Sequence, residues 1–179
     1  MPVVRGRNIR VLYSADDIAA RNLELAALIA AAGYRDLLVI SILKGSFVFA
    51  ADLIRALHEA GMEPEVEFIS LSSYGAGTES SGTVRVVKDI ESDVAGRDVL
   101  LIDDILESGR TIGFARQLML DRGARRVDVA VLLEKPGKRA TTVDADHVGF
   151  LCPDLFVVGY GMDAAHAFRE LPFVGVVES

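Results

Sequence analysis

The sequence contains no tryptophan, a single cysteine (Cys152) and five prolines among 179 residues, and only 7% of it is aromatic. A lone cysteine cannot close an internal disulfide, which excludes a small disulfide-framed scaffold. Long apolar runs are missing as well. The longest candidate, residues 23–32, carries Glu24 and falls short of the roughly 20 residues that span a bilayer. Arg5, Arg7 and Arg10 are followed by Ser14, Asp16 and Asp17 rather than by an apolar segment, which argues against a secretory signal. These absences predict a soluble, cytoplasmic protein with no membrane partner. Basic charge is also in deficit: 19 Lys and Arg stand against 26 Asp and Glu, a formal net charge of -7. Nucleic acid is disfavoured as a partner, because that binding is driven by clustered cations displacing counterions. An anionic substrate would need a locally positive site, or a divalent cation held by carboxylates.

What is present is aliphatic. The chain is 51% hydrophobic with a mean hydropathy of +0.33, the profile of a buried sheet covered by helices. Ser14 and Asp17 form a capping-box pattern, after which Ile18, Leu25, Leu28, Ile29 and Ala32 recur at helical spacing until Gly33. Residues 37–43 read as a fully buried strand, 47–60 as a second helix, and 65–72 as an alternating strand containing Val66, Phe68, Ile69 and Leu71. Residues 73–82 hold three glycines and no apolar periodicity, so they read as a flexible loop. Strands at 83–88, 97–102 and 127–133, with a helix at 111–122, complete an alternation that predicts a parallel sheet with helices on both faces. The short strand-like pieces at 148–151, 156–158 and 173–176 suggest a small subdomain capping that sheet. A chain of this length is expected to form one domain.

The stretch 99–112 combines a buried strand, the acidic pair Asp103 and Asp104, a short loop and a helix start. In open parallel sheets ligands bind outside the carboxyl ends of the strands, where this loop must lie. Backbone N–H groups around Gly109, with the Ser108 and Thr111 hydroxyls, can cradle a phosphate at the helix N-terminus. The two carboxylates can accept from ribose hydroxyls or hold hydrated magnesium. An ordinary strand-to-helix turn with capping residues accounts for the same residue types equally well. The Gly-x-x-x-x-Gly-Lys pattern of a Walker loop is absent.

The whole of 99–112 resembles the phosphoribosyl pyrophosphate signature of type I phosphoribosyltransferases. Further resemblances point to the hypoxanthine-guanine branch: residues 43–46 (Leu-Lys-Gly-Ser) to its pyrophosphate loop, 73–75 (Ser-Tyr-Gly) to the start of its mobile catalytic loop, and 132–136 and 153–163 to its purine-binding elements. The resemblance covers most of the chain from about Leu37 onward. It implies an α/β fold, a parallel twisted sheet flanked by helices, with a hood formed by N-terminal residues and about 135–179. It also implies magnesium-dependent purine salvage: displacement of pyrophosphate from phosphoribosyl pyrophosphate by hypoxanthine or guanine, giving IMP or GMP. A homodimer or homotetramer is the family expectation.

By the same resemblance, Asp103, Asp104, Ile105, Leu106, Glu107, Ser108, Gly109, Arg110 and Thr111 would bind the phosphoribose and its 5-phosphate. Lys44, Gly45 and Arg169 would contact pyrophosphate, and the Leu43–Lys44 peptide bond can be cis. Lys135 would donate to the purine 6-oxo group, Phe156 would stack on the base, and Val157 and Asp163 would complete that side. One magnesium would be held by Asp103 and Asp104, and a second, on the pyrophosphate side, by Asp163. Ser73 and Tyr74 would belong to a lid that orders over the site. Glu107 would be the general base near purine N7, at a position where the family commonly has Asp; conversely the family commonly has Glu at the position of Asp103. Taken alone, Phe156 reads as core, and Lys135 and Arg169 as solvated residues. His58, His147 and His166 are not spaced as a metal cluster, and Cys152 reads as a small buried side chain. A non-catalytic, nucleotide-responsive regulator on the same fold is the alternative. Net acidity counts against it, and it would not require Tyr74 or Lys135. A phosphoacceptor signalling domain would place its acidic pair after the first strand, which is not the case here.

Overall fold

A computed structural model describes residues 1–74 and 83–178. The elements follow the order β1 (Val3–Val4), β2 (Arg7–Tyr13), α1 (Ala15–Ala31), β3 (Leu38–Leu43), α2 (Phe47–Glu59), β4 (Glu65–Tyr74), β5 (Thr83–Lys88), β6 (Asp98–Leu106), α3 (Arg110–Asp121), β7 (Arg126–Glu134), β8 (His147–Leu151), β9 (Val157–Val158) and β10 (Val174–Val177). The capping box that starts α1 is formed: the Asp17 N–H donates to Ser14 Oγ at 3.1 Å, and the Ser14 N–H to Asp17 Oδ2 at 3.1 Å. The face of α1 is narrower than its spacing suggests, because Leu28 is exposed while Ile18, Leu25 and Ile29 are buried.

The main sheet has six strands in the order β5-β4-β3-β6-β7-β8. All neighbours run parallel except β4 and β5, so the sheet is mixed at one edge. Its centre is buried on both faces, which is why β3, β6 and β7 read as continuous apolar runs. Alternate residues serve the two faces. Val39, Leu100, Ile102 and Leu132 pack with Ile29, Phe49 and Leu53 of α1 and α2. Ile40, Leu101, Val129 and Val131 pack with Ile112, Ala115 and Met119 of α3.

Three sequence boundaries shift. β6 does not end before the acidic pair but continues through it, because β7 offers paired residues as far as Glu134: Asp103 opposes Val131, and Leu106 opposes Glu134. Ser73 and Tyr74 are the last residues of β4, opposite Val84 and Thr83, rather than part of a loop. The remaining lid residues, 75–82, lie outside the described residues. Finally, 147–151 is an outer strand of the main sheet, parallel to β7, and not a piece of the cap. The second sheet, in the order β1-β2-β10-β9, joins N-terminal strands to 157–158 and 174–177 by antiparallel pairing. No helix among the described residues is long and apolar enough to cross a membrane.

Candidate active site

The site arises from unequal strand lengths. β3 pairs with β6 only as far as Ser41 opposite Ile102, and after Leu43 the chain turns away through Lys44 and Gly45. β6 runs on to Leu106, and the vacated space beside its end is a cavity of about 570 Å³. Its walls are the Lys44–Gly45 turn, the carboxylates Asp103 and Asp104, the loop of Glu107, Ser108 and Gly109, the start of α3, and Lys138. Residues 44–45 and 103–111, more than 50 residues apart in sequence, thus face one cavity. The Leu43–Lys44 peptide bond is cis.

Asp103 is buried and Asp104 half-buried. Asp103 Oδ1 accepts from the Asp104 N–H at 2.9 Å, and Asp104 Oδ1 from the Ile105 N–H at 2.8 Å. Burial first, and then the neighbouring Asp104 charge, hold the Asp103 carboxyl well above the usual carboxylate range. This placement of the Asp104 carboxylate depends on Gly45: a Cβ there would lie 2.0 Å from Asp104 Oδ2 and would turn the carboxylate aside.

Gly109 caps α3 in the left-handed conformation, with φ of 80°. It has no room for a side chain, since a Cβ would meet Thr141 Oγ1 at 2.5 Å. The N-cap Gly109 offers α3 no side-chain cap. Apart from the Arg110 N–H, which Ser108 Oγ engages, the first-turn amides and the helix dipole can therefore serve an anion. Ser108 Oγ accepts from the Arg110 N–H at 3.3 Å, and the Ser108 carbonyl from the Ala140 N–H at 2.8 Å. The Glu107 carbonyl accepts from Arg139 Nη1 at 3.1 Å, and its carboxylate Oε1 lies 3.6 Å from Lys138 Nζ.

A second cavity, of about 480 Å³, continues from Lys44, Gly45 and Asp104 to Asp163 and Arg169. Arg169 donates to the Gly161 carbonyl at 2.7 Å and pairs with Asp163 Oδ1 at 3.0 Å. Asp163 Oδ2 also accepts from the His166 N–H at 2.7 Å.

Lys135, Phe156 and Val157 do not line either cavity. Lys135 is fixed beside the phosphate loop, because its N–H donates to the Leu106 carbonyl at 2.9 Å. Its ammonium is buried and donates to the Leu155 carbonyl at 2.7 Å. Phe156 is 66% exposed, so its ring is not core, against the reading its residue type alone suggests; Val157 is buried in β9. Cys152 is buried. Among the described residues no group of three or more His, Cys, Asp or Glu side chains is placed to hold a metal ion.

Comparison with known proteins places this arrangement. The phosphoribosyl transferase domain family matches residues 12–165. The hypoxanthine-guanine phosphoribosyltransferase of Streptococcus agalactiae serotype V is 42% identical over 171 residues, 94% of this chain and 93% of that protein. The bifunctional protein TilS/HprT of Listeria innocua is also 42% identical, over 94% of this chain, but this chain spans only 26% of that longer protein. Among solved structures, the Trypanosoma cruzi hypoxanthine phosphoribosyltransferase in complex with the product IMP superposes with a TM-score of 0.90 at 33% identity, covering 99% of this chain and 98% of that one. The chain belongs to the hypoxanthine-guanine phosphoribosyltransferase family.

Two residues of this phosphoribosyltransferase chain escaped sequence reasoning. Lys138 lines the main cavity, and Arg139 braces the phosphate loop while pairing with Glu134 at 2.7 Å. Both sit in an irregular segment after β7, where no periodicity marks a facing side. The one available signal was two adjacent cations just past a buried strand end.

Proposed function

We propose that this protein transfers the 5-phosphoribosyl group of phosphoribosyl pyrophosphate to hypoxanthine or guanine, giving IMP or GMP and releasing pyrophosphate. The observation that carries this is the single cavity joining the acidic end of β6, the phosphate loop 107–111 and the Lys44–Gly45 turn. The Thr111 and Ile112 amides at the start of α3, with the Ser108 and Thr111 hydroxyls, receive the 5-phosphate. Asp103 and Asp104 accept from the ribose hydroxyls. Lys44, the Gly45 backbone and Arg169 receive the departing pyrophosphate, which leaves as the C1–O bond breaks through an oxocarbenium-like transition state. Lys135 keeps donors beyond the one given to Leu155 and offers one to the purine 6-oxo group. The exposed Phe156 ring gives the base a stacking face, Val157 contributes backbone bonds, and Glu107 takes the N7 proton.

The donor set suits magnesium. Asp103 and Asp104 lie side by side, and no cationic side chain among the described residues pairs with either. Adjacent hard oxygen donors without a full protein cage match an ion that keeps waters and substrate oxygens as ligands. Asp103 and Asp104 would hold one such ion, and Asp163, on the pyrophosphate side, a second. Once bound, magnesium supplies charge neutralisation of the pyrophosphate. An even-numbered homo-oligomer in the cytoplasm completes the reading, supported by the family. The test is a magnesium-containing assay of phosphoribosyl pyrophosphate with hypoxanthine, guanine, xanthine and adenine in turn. Product from the oxopurines is expected, and product from adenine alone would overturn the purine-site assignment.

A further inference from the structure

Three consecutive residues after β7 converge on Glu107 and Ser108. Lys138 Nζ lies 3.6 Å from Glu107 Oε1 and 2.8 Å from Asp154 Oδ1. Arg139 spans the gap between strands β6 and β7, donating from Nη1 to the Glu107 carbonyl at 3.1 Å and from Nη2 to Glu134 Oε1 at 2.7 Å. Ala140 then donates its N–H to the Ser108 carbonyl at 2.8 Å. Glu107 is therefore held at its backbone by Arg139 and at its carboxylate by Lys138, which is itself tethered by Asp154.

A glutamate has one more rotatable bond than the aspartate common at this position in the family, and each unfixed torsion spreads its carboxylate over more positions. A base that must reach its proton at about 2.6 to 3.2 Å works only if that spread is removed. We propose that Lys138, anchored by Asp154, and Arg139 are positioning residues that fix the long Glu107 side chain for proton abstraction. The inference rests on the reading of Glu107 as the general base. Among the described residues the charged or titratable groups around Glu107 include Lys138, Arg139, the buried Lys135 on the neighbouring strand end, Glu134 behind Arg139, Asp154 behind Lys138, Cys152, and Lys44, Asp103, Asp104 and Arg110 along the same cavity. Of these, Lys138 has the ammonium at ion-pair distance from the carboxylate. Its hydrogen bond to Asp154 holds it above its usual value, and the same bond holds Asp154 below the usual carboxylate range, so both stay charged at neutral pH.

The experiment compares kcat and KM for the wild type, Lys138→Gln, Lys138→Arg, Glu107→Gln and the double variant Glu107→Gln/Lys138→Gln, with thermal melting as the folding control. Lys138 is 57% exposed at its side chain, so its variants are expected to fold. Lys138→Gln should lower kcat roughly 3- to 30-fold while KM for phosphoribosyl pyrophosphate stays within about twofold. Lys138→Arg should restore kcat. On the Glu107→Gln background the Lys138 change should cost nothing further, because the carboxylate it positions is gone. If Glu107→Gln loses turnover but Lys138→Gln keeps wild-type kcat, the positioning role is refuted and the base assignment stands. A Lys138→Gln loss that persists in full on the Glu107→Gln background refutes it equally. Wild-type turnover in Glu107→Gln removes the base assignment and this proposal together.

Discussion

Replacing Gly45 with alanine separates activity from stability in a way the packing around Asp104 makes quantitative. The Gly45 φ lies outside the left-handed region, so alanine fits the backbone without strain. Its Cβ, however, would sit 2.0 Å from Asp104 Oδ2 and 2.9 Å from Asp104 Cγ. Restoring ordinary contact needs a displacement of about 1.4 Å at Oδ2. The cheapest way to find it is rotation of the Asp104 carboxylate, which costs the 2.8 Å hydrogen bond from the Ile105 N–H. One such bond contributes about 1 kcal/mol, and loss of glycine from the unfolded chain returns about 0.4 to 1 kcal/mol. Net stability should therefore change by less than about 1 kcal/mol. A carboxylate moved by more than an ångström from ribose and metal should cost about 100-fold in kcat/KM. Steady-state kinetics at varied magnesium, run beside a denaturant titration, reads both numbers. If Gly45→Ala keeps kcat/KM within about threefold of wild type, the position of Asp104 does not matter to the reaction. An equal collapse of stability would instead make the glycine a folding requirement.

Phe156→Ala should raise KM for the purine about tenfold, as base stacking on an aromatic face contributes about 1 to 3 kcal/mol; because the ring is 66% exposed, Tm should not move, and a large Tm drop would return Phe156 to the core. Arg125→Ala should cost about 2 to 4 kcal/mol at neutral pH, since it leaves the fully buried Asp98 with only the Arg35 N–H on its bonded oxygen. Burial alone pushes Asp98 up, but that N–H and the Arg125 guanidinium outweigh it and hold the carboxyl below its usual value. Its stabilisation is thus complete above the unfolded value of about 3.9 and lost as pH falls through the lower folded value. Arg125→Ala should flatten that acid-side loss in denaturant titrations, and an unchanged pH dependence would refute the assignment. Chelating divalent cations should abolish turnover yet leave the Tm of the substrate-free protein unchanged, as the described residues form no cage of three or more ligands; a Tm drop on chelation would refute the substrate-shared site.

Local chemistry made much of this protein legible from its sequence alone. The Ser14–Asp17 box starts α1, and the apolar runs of β3, β6 and β7 mark strands buried on both faces. Such signals depend on neighbours within a few residues. The turn from β6 into α3 was legible for the same reason, since a strand end, two carboxylates, Ser108 and Gly109 fall within one short stretch. Tertiary structure alone decided the rest. The acidic pair lies inside β6 because β7 is long enough to pair with it, and residues 147–151 extend the main sheet because their partner is β7 rather than β9. Phe156 is exposed and Lys135 buried, the reverse of what each residue type suggests in isolation. Lys138 and Arg139 reach Glu107 across more than 30 residues of chain. Strand length, burial and side-chain convergence of this kind are set by which distant segments share the sheet, and no short-range pattern encodes that choice.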